Sequence, residues 1–121
     1  MLHYVTRLYL GRAVPEGARV NGIVAGTGVT VSEATFDRFV GDVISRKFPD
    51  GYTLINAEGG WLDARTGRTI REPSTILEVY HDGSMSSRVA IRSVALDYKT
   101  SFGQDAVMVS TVNLTEGVDF I

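Results

Sequence analysis

Charged side chains near the only tryptophan are the residues of this sequence best suited to bind a small molecule. Asp63, Arg71 and Glu72 follow Trp61 closely, in a stretch from Phe48 to Ser74 that is rich in turn residues. A guanidinium group can form paired hydrogen bonds to a phosphate, and an indole ring can stack on a base. This stretch is therefore a candidate site for a small anion that carries a ring.

Side chains elsewhere in the sequence extend this candidate site. The predicted ligand-binding residues are Arg7, Tyr9, Trp61, Asp63, Arg71, Glu72, Lys99 and Gln104. Two plainer interpretations remain open. Arg71 and Asp63 can pair across a hairpin, and Trp61 can be an anchor in the core or in an interface.

Catalytic motifs are absent from the sequence. There is no cysteine, which excludes thiolate nucleophiles and thiolate metal sites. His81 and Glu78 are the candidates for a general base. His3 and His81 lie in predicted neighbouring strands, but the H-x-[ST] pairs typical of two-histidine phosphodiesterases are absent. No HExxH motif or carboxylate cluster occurs, so we expect neither a metal site nor a cofactor.

The overall composition is that of one globular domain over residues 1–121. Hydrophobic residues make up 44% of the chain and charged residues 21%, with a net charge of -2. This charge argues against general nucleic-acid binding, which needs a clustered basic excess. No apolar run approaches ~18 residues and no signal peptide is recognised, so we expect a cytoplasmic protein without a membrane span.

The first half of the sequence predicts a strand, a long connection and a helix. Residues 2–10 are rich in aromatic and β-branched types, which favour a strand. Residues 11–31 contain five glycines and fit either a mobile surface loop or a lid over a ligand. Ser32 is a predicted N-cap, and apolar residues at helical spacing continue to Phe48, just before a proline.

The second half predicts three further strands and a second helix. The strands are indicated by β-branched and aromatic runs over residues 52–57, 74–81 and 106–112. Between the first two, Gly59 and Gly60 are predicted to break the strand, and an extra hairpin is expected around residues 59–72. Ser86 or Ser87 is predicted to cap the second helix.

This element order predicts an α+β fold. Each helix has a single apolar stripe, so both can cover one face of a four-stranded antiparallel sheet. The order βαββαβ is the ferredoxin-like arrangement, with strand order 4-1-3-2. We expect the first and third strands to be central and parallel. The uncovered face would carry mixed polar and aromatic side chains, which favours a homo-oligomer, a dimer or higher, through that face or the sheet edges.

Several blocks of the sequence resemble a small bacterial family known only as a domain of unknown function. They are RLYLG from Arg7, VS before a helix that ends in FPDGYT, GGW, REPS from Arg71, and FGQ from Phe102. The blocks have the same order as in that family and cover most of the chain from Arg7 to Val107. The resemblance implies no activity, because the family has none assigned. A longer connection between Gly11 and Ser32 and a start without an export leader imply a specialised, intracellular relative.

The leading hypothesis for function is a non-enzymatic protein that binds a small anionic, nucleotide-like ligand. The ligand would lie between subunits or under the connection of residues 11–31. One form of such a protein is a sponge that sequesters a signalling nucleotide, such as a phage anti-defence protein. Two alternatives remain open: a small dimeric enzyme of hydrolase or phosphodiesterase-like type on the same scaffold, and a structural oligomerisation module.

Overall fold

A computed structural model describes the whole chain, residues 1–121. The strands are β1 (Tyr4–Gly11), β2 (Arg19–Val20), β3 (Ile23–Val24), β4 (Thr53–Asp63), β5 (Arg68–His81) and β6 (Met108–Asn113). The first helix, α1, is α-helical over Glu33–Phe39, π-helical over Val40–Ile44 and α-helical again over Ser45–Lys47. The second helix, α2, is Met85–Ser101.

The main sheet has the strand order β4-β5-β1-β6. This order and the two helices confirm the predicted α+β, ferredoxin-like fold with its 4-1-3-2 arrangement. The expectation that the first and third strands are parallel was wrong, because β1 pairs with β5 in antiparallel register. The strand β5 follows β4 through a hairpin and lies between β4 and β1, which run in the same direction. It therefore runs antiparallel to both.

Both helices pack on the same face of this sheet. Alternate residues of the central strands, Leu8 and Leu10 in β1 and Leu77 and Val79 in β5, belong to one buried cluster with residues of both helices. The helical members are Phe36, Phe39, Ile44, Ile91, Val94 and Tyr98. The sheet is thus covered on one side only. We call the uncovered side the open face.

Serine hydroxyls begin both helices. Ser32 caps α1 as predicted, since its Oγ accepts a hydrogen bond from the Thr35 backbone N–H. The predicted cap of α2 was wrong: Ser84, and not Ser86 or Ser87, accepts from the Ser87 N–H. The reason is the preceding turn, in which Asp82 Oδ1 accepts from the Ser84 N–H at 2.9 Å and fixes Ser84 in the capping position.

The long connection between β1 and α1 is internally hydrogen-bonded and packs on the core. It contains the β2–β3 hairpin, and Val14 N–H donates to the Val29 carbonyl at 2.8 Å. The Gln104 side chain fixes its start, because Nε2 donates to the Ala13 carbonyl at 2.9 Å. A Cβ on Gly11 would lie 2.9 Å from Gln104 Oε1, so the backbone there approaches this amide more closely than a larger residue allows.

The β4–β5 hairpin extends beyond the rest of the sheet. The ladder runs without interruption from the Thr53–Glu78 pair to the Asp63–Arg68 pair, whereas β1 accompanies β5 only as far as Ser74. The predicted break at Gly59 and Gly60 was therefore wrong, because cross-strand pairing holds both glycines extended. The expected extra hairpin around residues 59–72 is the outer part of this ladder. We call residues 58–73 the arm.

Replacement of Tyr98 by phenylalanine tests the packing of α2 against the sheet. Tyr98 is fully buried, and its hydroxyl donates to the Gly11 carbonyl at 2.7 Å. Burial raises the pKa of Tyr98 to about 12, so the hydroxyl keeps its proton. Tyr98→Phe leaves the carbonyl without its donor and should lower the free energy of unfolding by about 1–3 kcal/mol, measured by urea denaturation.

The matched control is Tyr52→Phe. The Tyr52 hydroxyl lies 2.7 Å from Ser45 Oγ and is only partly buried, so water can replace the lost partner. We expect a smaller loss of stability there. Equal losses in the two variants would contradict a special role for the Tyr98 hydrogen bond.

Candidate functional site

A cavity of about 530 Å³ lies between α2 and the edge strand β6. We call it the α2–β6 cavity. Val109 of β6 pairs with Leu8 but is 43% exposed, so the helix does not cover the edge strand here. The apolar part of the lining is Ile91, Ala95, Leu96, Ala106, Val107 and Val109. The volume and the mostly apolar lining are typical of small-molecule sites.

Three cations of α2 border this cavity: Arg88, Arg92 and Lys99. Spacings of four and seven residues place them along one side of the helix. Arg88 Nε donates to the Gly83 carbonyl at 3.1 Å. Arg92 and Lys99 form no salt bridge, and no carboxylate lines the cavity. The cavity therefore combines an apolar wall with an unbalanced positive charge.

A chain of hydrogen bonds leads from His81 to the cavity wall. The Gly83 backbone N–H donates to His81 Nδ1 at 3.1 Å, so the neutral ring carries its proton on Nε2. Nε2 lies 2.7 Å from Thr6 Oγ1 and donates to it. Thr6 Oγ1 lies 2.8 Å from Thr111 Oγ1 and can donate in turn, which leaves the Thr111 hydroxyl proton free for a ligand.

The open face carries a different set of polar groups. Arg7 Nε donates to Glu78 Oε2 at 2.9 Å in the centre of the sheet, and this contact raises the pKa of Arg7. Tyr9 follows Arg7 on the same face of β1. Glu78 and His81 occupy opposite faces of β5, although both residues line a second cavity near the C-terminal end of α1.

The remaining predicted residues lie in the arm. Arg71 forms a salt bridge with Glu58 at 2.7 Å, and not with Asp63 as one interpretation of the sequence expected. Asp63 instead accepts from the Arg65 N–H in the turn. Trp61 is 53% exposed and paired with Ile70, so it is not a core residue.

The structure does not bring the predicted ligand-binding residues together within one protomer. Lys99 lies at the α2–β6 cavity, Gln104 supports the connection after β1, and Arg7 and Tyr9 lie on the open face. Trp61, Asp63, Arg71 and Glu72 belong to the arm. Sequence reasoning missed Arg88 and Arg92, although their spacing on the same helical stripe as Lys99 was visible.

A larger cavity, of about 740 Å³, lies between the C-terminal end of α1 and the start of α2. Its lining includes the carboxylates Asp50, Glu78 and Asp82 but only one cation, Lys47. Hydrogen bonds from Ser84 and Ser87 lower the pKa of Asp82 to about 2, so that carboxyl is ionised at neutral pH. This cavity is less suited to an anion than the α2–β6 cavity. No group of three or more histidine or acidic side chains is placed to bind a metal ion.

The sheet order and the two helices on one face define a ferredoxin-like α+β domain. Within that class, the chain belongs to the family described as "Protein of unknown function (DUF3574)", whose model matches residues 5–119. The resemblance of the sequence blocks to a family of unknown function is thereby confirmed. No curated protein matches the sequence.

Two solved structures of a phage SAM lyase have a similar fold. The one in complex with S-methyl-5'-thioadenosine has a TM-score of 0.60 and 14% identity, and covers 92% of this chain and 81% of that chain. The apo structure has a TM-score of 0.58 and 14% identity, with 93% and 81% covered. At this identity the likeness concerns the fold. No helix of the chain is both long and apolar enough to span a membrane.

The pH dependence of stability tests the assignment of a neutral His81. Burial lowers the pKa of His81, Arg88 lowers it further, and Asp82 opposes both. In the unfolded chain a histidine titrates near ~6.5. The folded state binds this proton less readily, so the stability from His81 is complete above ~6.5 and is lost as the pH falls below it.

The measurement is urea denaturation at pH 7.5 and pH 5.5 in a His3→Gln background, where His81 is the only histidine. We expect a lower free energy of unfolding at pH 5.5. The difference in the free energy of unfolding between the two pH values should shrink when His81→Gln is added. An unchanged difference in the double variant would contradict the assignment.

Proposed function

We propose that this protein is a homo-oligomer that binds a small anionic, nucleotide-like ligand in the α2–β6 cavity of each protomer. The observation that carries the ligand proposal is the pair Arg92 and Lys99, which border an apolar cavity and have no carboxylate partner. An anion between them would gain two charge-assisted hydrogen bonds. The apolar wall would exclude water from the rest of the ligand.

The chemistry of the cavity wall supports a ligand with a ring. Ile91, Ala95 and Val109 offer an apolar surface on which the plane of a base or similar ring can lie. Thr111 closes the hydrogen-bond chain from His81 and has one hydroxyl proton to donate. A ring acceptor or a ribose oxygen would satisfy that donor. Cations at the rim and a donor at the wall match the two ends of a mononucleotide.

The fold neighbour supports the nucleoside-like part of this proposal. The phage SAM lyase was solved with S-methyl-5'-thioadenosine, which is an uncharged nucleoside thioether. A fold of this kind can therefore hold an adenosine derivative. The proposal that the ligand carries a negative charge depends instead on the cations of this chain that border the cavity, Arg88, Arg92 and Lys99.

The hydrogen bonds of His81 favour binding over catalysis. A general base needs a free nitrogen lone pair, but Nδ1 already accepts from Gly83 and Nε2 donates to Thr6. The ring therefore acts as a donor that orients Thr6. A protein that holds its ligand without altering it would act by sequestration, as a sponge for a signalling nucleotide, which is the role we propose.

Isothermal titration with AMP, adenosine and S-methyl-5'-thioadenosine tests the proposed ligand class. We expect AMP to bind more tightly than the two uncharged nucleosides, with an affinity that falls as salt is added. Arg92→Ala and Lys99→Ala should each raise the Kd for AMP about tenfold, which corresponds to about 1.4 kcal/mol. Arg65→Ala, in the exposed turn of the arm, is the matched control and should change nothing.

Two further results of this experiment would contradict the proposal. Loss of binding in Arg71→Ala and Trp61→Ala, with Arg92→Ala unaffected, would place the ligand at the arm. Incubation with S-adenosylmethionine, followed by mass spectrometry, tests the enzymatic alternative that the fold neighbour raises. Recovery of the compound intact agrees with binding, whereas release of S-methyl-5'-thioadenosine above the level of a protein-free control would establish that the protein cleaves it.

A further inference from the structure

The open face of the sheet is built of alternating apolar and polar rows. Cross-strand partners lie at the same height, so each row crosses the whole sheet from β6 to β4. The polar row is Ser110, Arg7, Glu78 and Thr53. The apolar row on one side of it is Met108, Tyr9, Ile76 and Ile55. The row on the other side is Val112, Val5 and Tyr80, of which Val5 is already buried within the protomer at 4% exposure.

This face leaves large apolar side chains in water. Tyr80 and Ile55 are each 41% exposed, Val112 is 48% exposed and Met108 is 61% exposed. They surround the Arg7–Glu78 ion pair, in which the Arg7 side chain is 40% exposed and that of Glu78 is 13% exposed. Exposed apolar side chains on both sides of an ion pair mark an interaction surface on a folded domain.

We propose that a second copy of this chain covers the open face, related by a two-fold axis that runs along the strands between β1 and β5. Half a turn about this axis places β1 over β5 of the partner subunit and β6 over β4 of the partner subunit. Each row then faces the same row of the partner subunit, with its residues running across the sheet in the opposite order. The rows are self-complementary under this operation, which is the requirement for an isologous dimer.

The polar row shows this complementarity most clearly. Arg7 comes to lie over Glu78 of the partner subunit, and Glu78 over Arg7 of the partner subunit. Each cation then contacts two carboxylates and each carboxylate two cations, so the four charges sum to zero. Ser110 faces Thr53 of the partner subunit, which gives the ends of the row hydroxyl partners. A buried ion pair needs this kind of full pairing to offset its loss of hydration.

The apolar rows match in the same way. Tyr9 faces Ile76 of the partner subunit, and Met108 faces Ile55 of the partner subunit. The last row contributes less to the contact, because Val5 at its centre is only 4% exposed within the protomer. No charged group is placed over an apolar one anywhere on the four-stranded part of the face. A different protein partner would have to reproduce this order of rows, whereas a second copy supplies it by symmetry.

The size of the face suits a dimer at the small end of specific interfaces. Four strands at ~4.8 Å spacing and eight residues of ~3.4 Å give roughly 500 Å² of sheet per partner, before side-chain relief is counted. Two sheets packed with aligned strands meet at ~10 Å, which suits side chains of this size. The arm adds nothing, because beyond Ser74 neither β1 nor β6 of the partner subunit lies opposite it. The area is therefore below the ~800 Å² that each partner contributes to a standard interface, so the dimer should depend on concentration.

Charge reversal across the axis is the direct experiment. This inference rests on the homo-oligomer part of the proposed function and does not depend on the ligand. Arg7→Glu alone and Glu78→Arg alone each place like charges opposite one another, and we expect each variant to dissociate at least tenfold more readily. An equimolar mixture of the two should recover a dimer, because each position again faces an opposite charge. The masses are measured by light scattering after size exclusion.

A second pair of variants covers the case in which charge reversal impairs folding. Met108→Glu places a charge in an apolar row of the open face and should give a monomer. Met85→Glu, at the start of α2, changes another exposed methionine away from that face and should leave the dimer intact.

The outcomes separate this interface from the broader proposal. A monomeric wild type at all concentrations would overturn both the interface and the homo-oligomer. An oligomer that survives Met108→Glu, or single charge variants that assemble as the wild type does, would overturn this interface while the homo-oligomer stands. Titration with AMP on the same samples reports the ligand proposal separately.

Discussion

The packing of two helices on one side of a four-stranded sheet is the constraint on which the other features depend. Tyr98 lies between the helices and the sheet. Its ring packs against Phe39 and Phe102, and its hydroxyl donates to the carbonyl of Gly11 at the end of β1. Because the apolar stripes of both helices pack on one side, the opposite side stays uncovered within the protomer. A second consequence lies at the sheet edge. The helix α2 covers β1 but leaves part of β6 uncovered, and the α2–β6 cavity is the gap that remains.

Local sequence patterns predicted most of the fold. The helical stripe after Ser32 and the β-branched runs around β1 and β5 have clear periods, and burial against one sheet reinforces them. The errors occurred where tertiary contacts decide. Gly59 and Gly60 would turn in isolation, but a ladder of paired residues keeps them extended. Ser84 and Ser87 are both good caps by residue type, and the turn held by Asp82 selects Ser84.

The candidate site was much less predictable than the fold. Its predicted members were grouped by residue type. Most of those in strands share the open face but lie far apart along it, whereas Arg71 lies on the other face and Lys99 on α2. Arg7 and Arg71 are already engaged by Glu78 and Glu58, which a sequence alone does not reveal. The cations without a carboxylate partner that border the α2–β6 cavity, Arg92 and Lys99, lie instead on α2. Their common stripe could be recognised from spacing, but the cavity beside it depends on where the edge strand lies.

Two surfaces with opposite chemistry thus share one scaffold. The open face is neutral and ordered in rows, which suits a copy of itself, whereas the α2–β6 cavity has an excess of positive charge and suits a small anion. Because they lie on opposite sides of the sheet, the proposed dimer would leave the cavities free. Native mass spectrometry of the purified protein tests this account most directly. We predict a species of two chains that releases small anionic molecules on activation, and a single chain without any bound molecule at every concentration would contradict it.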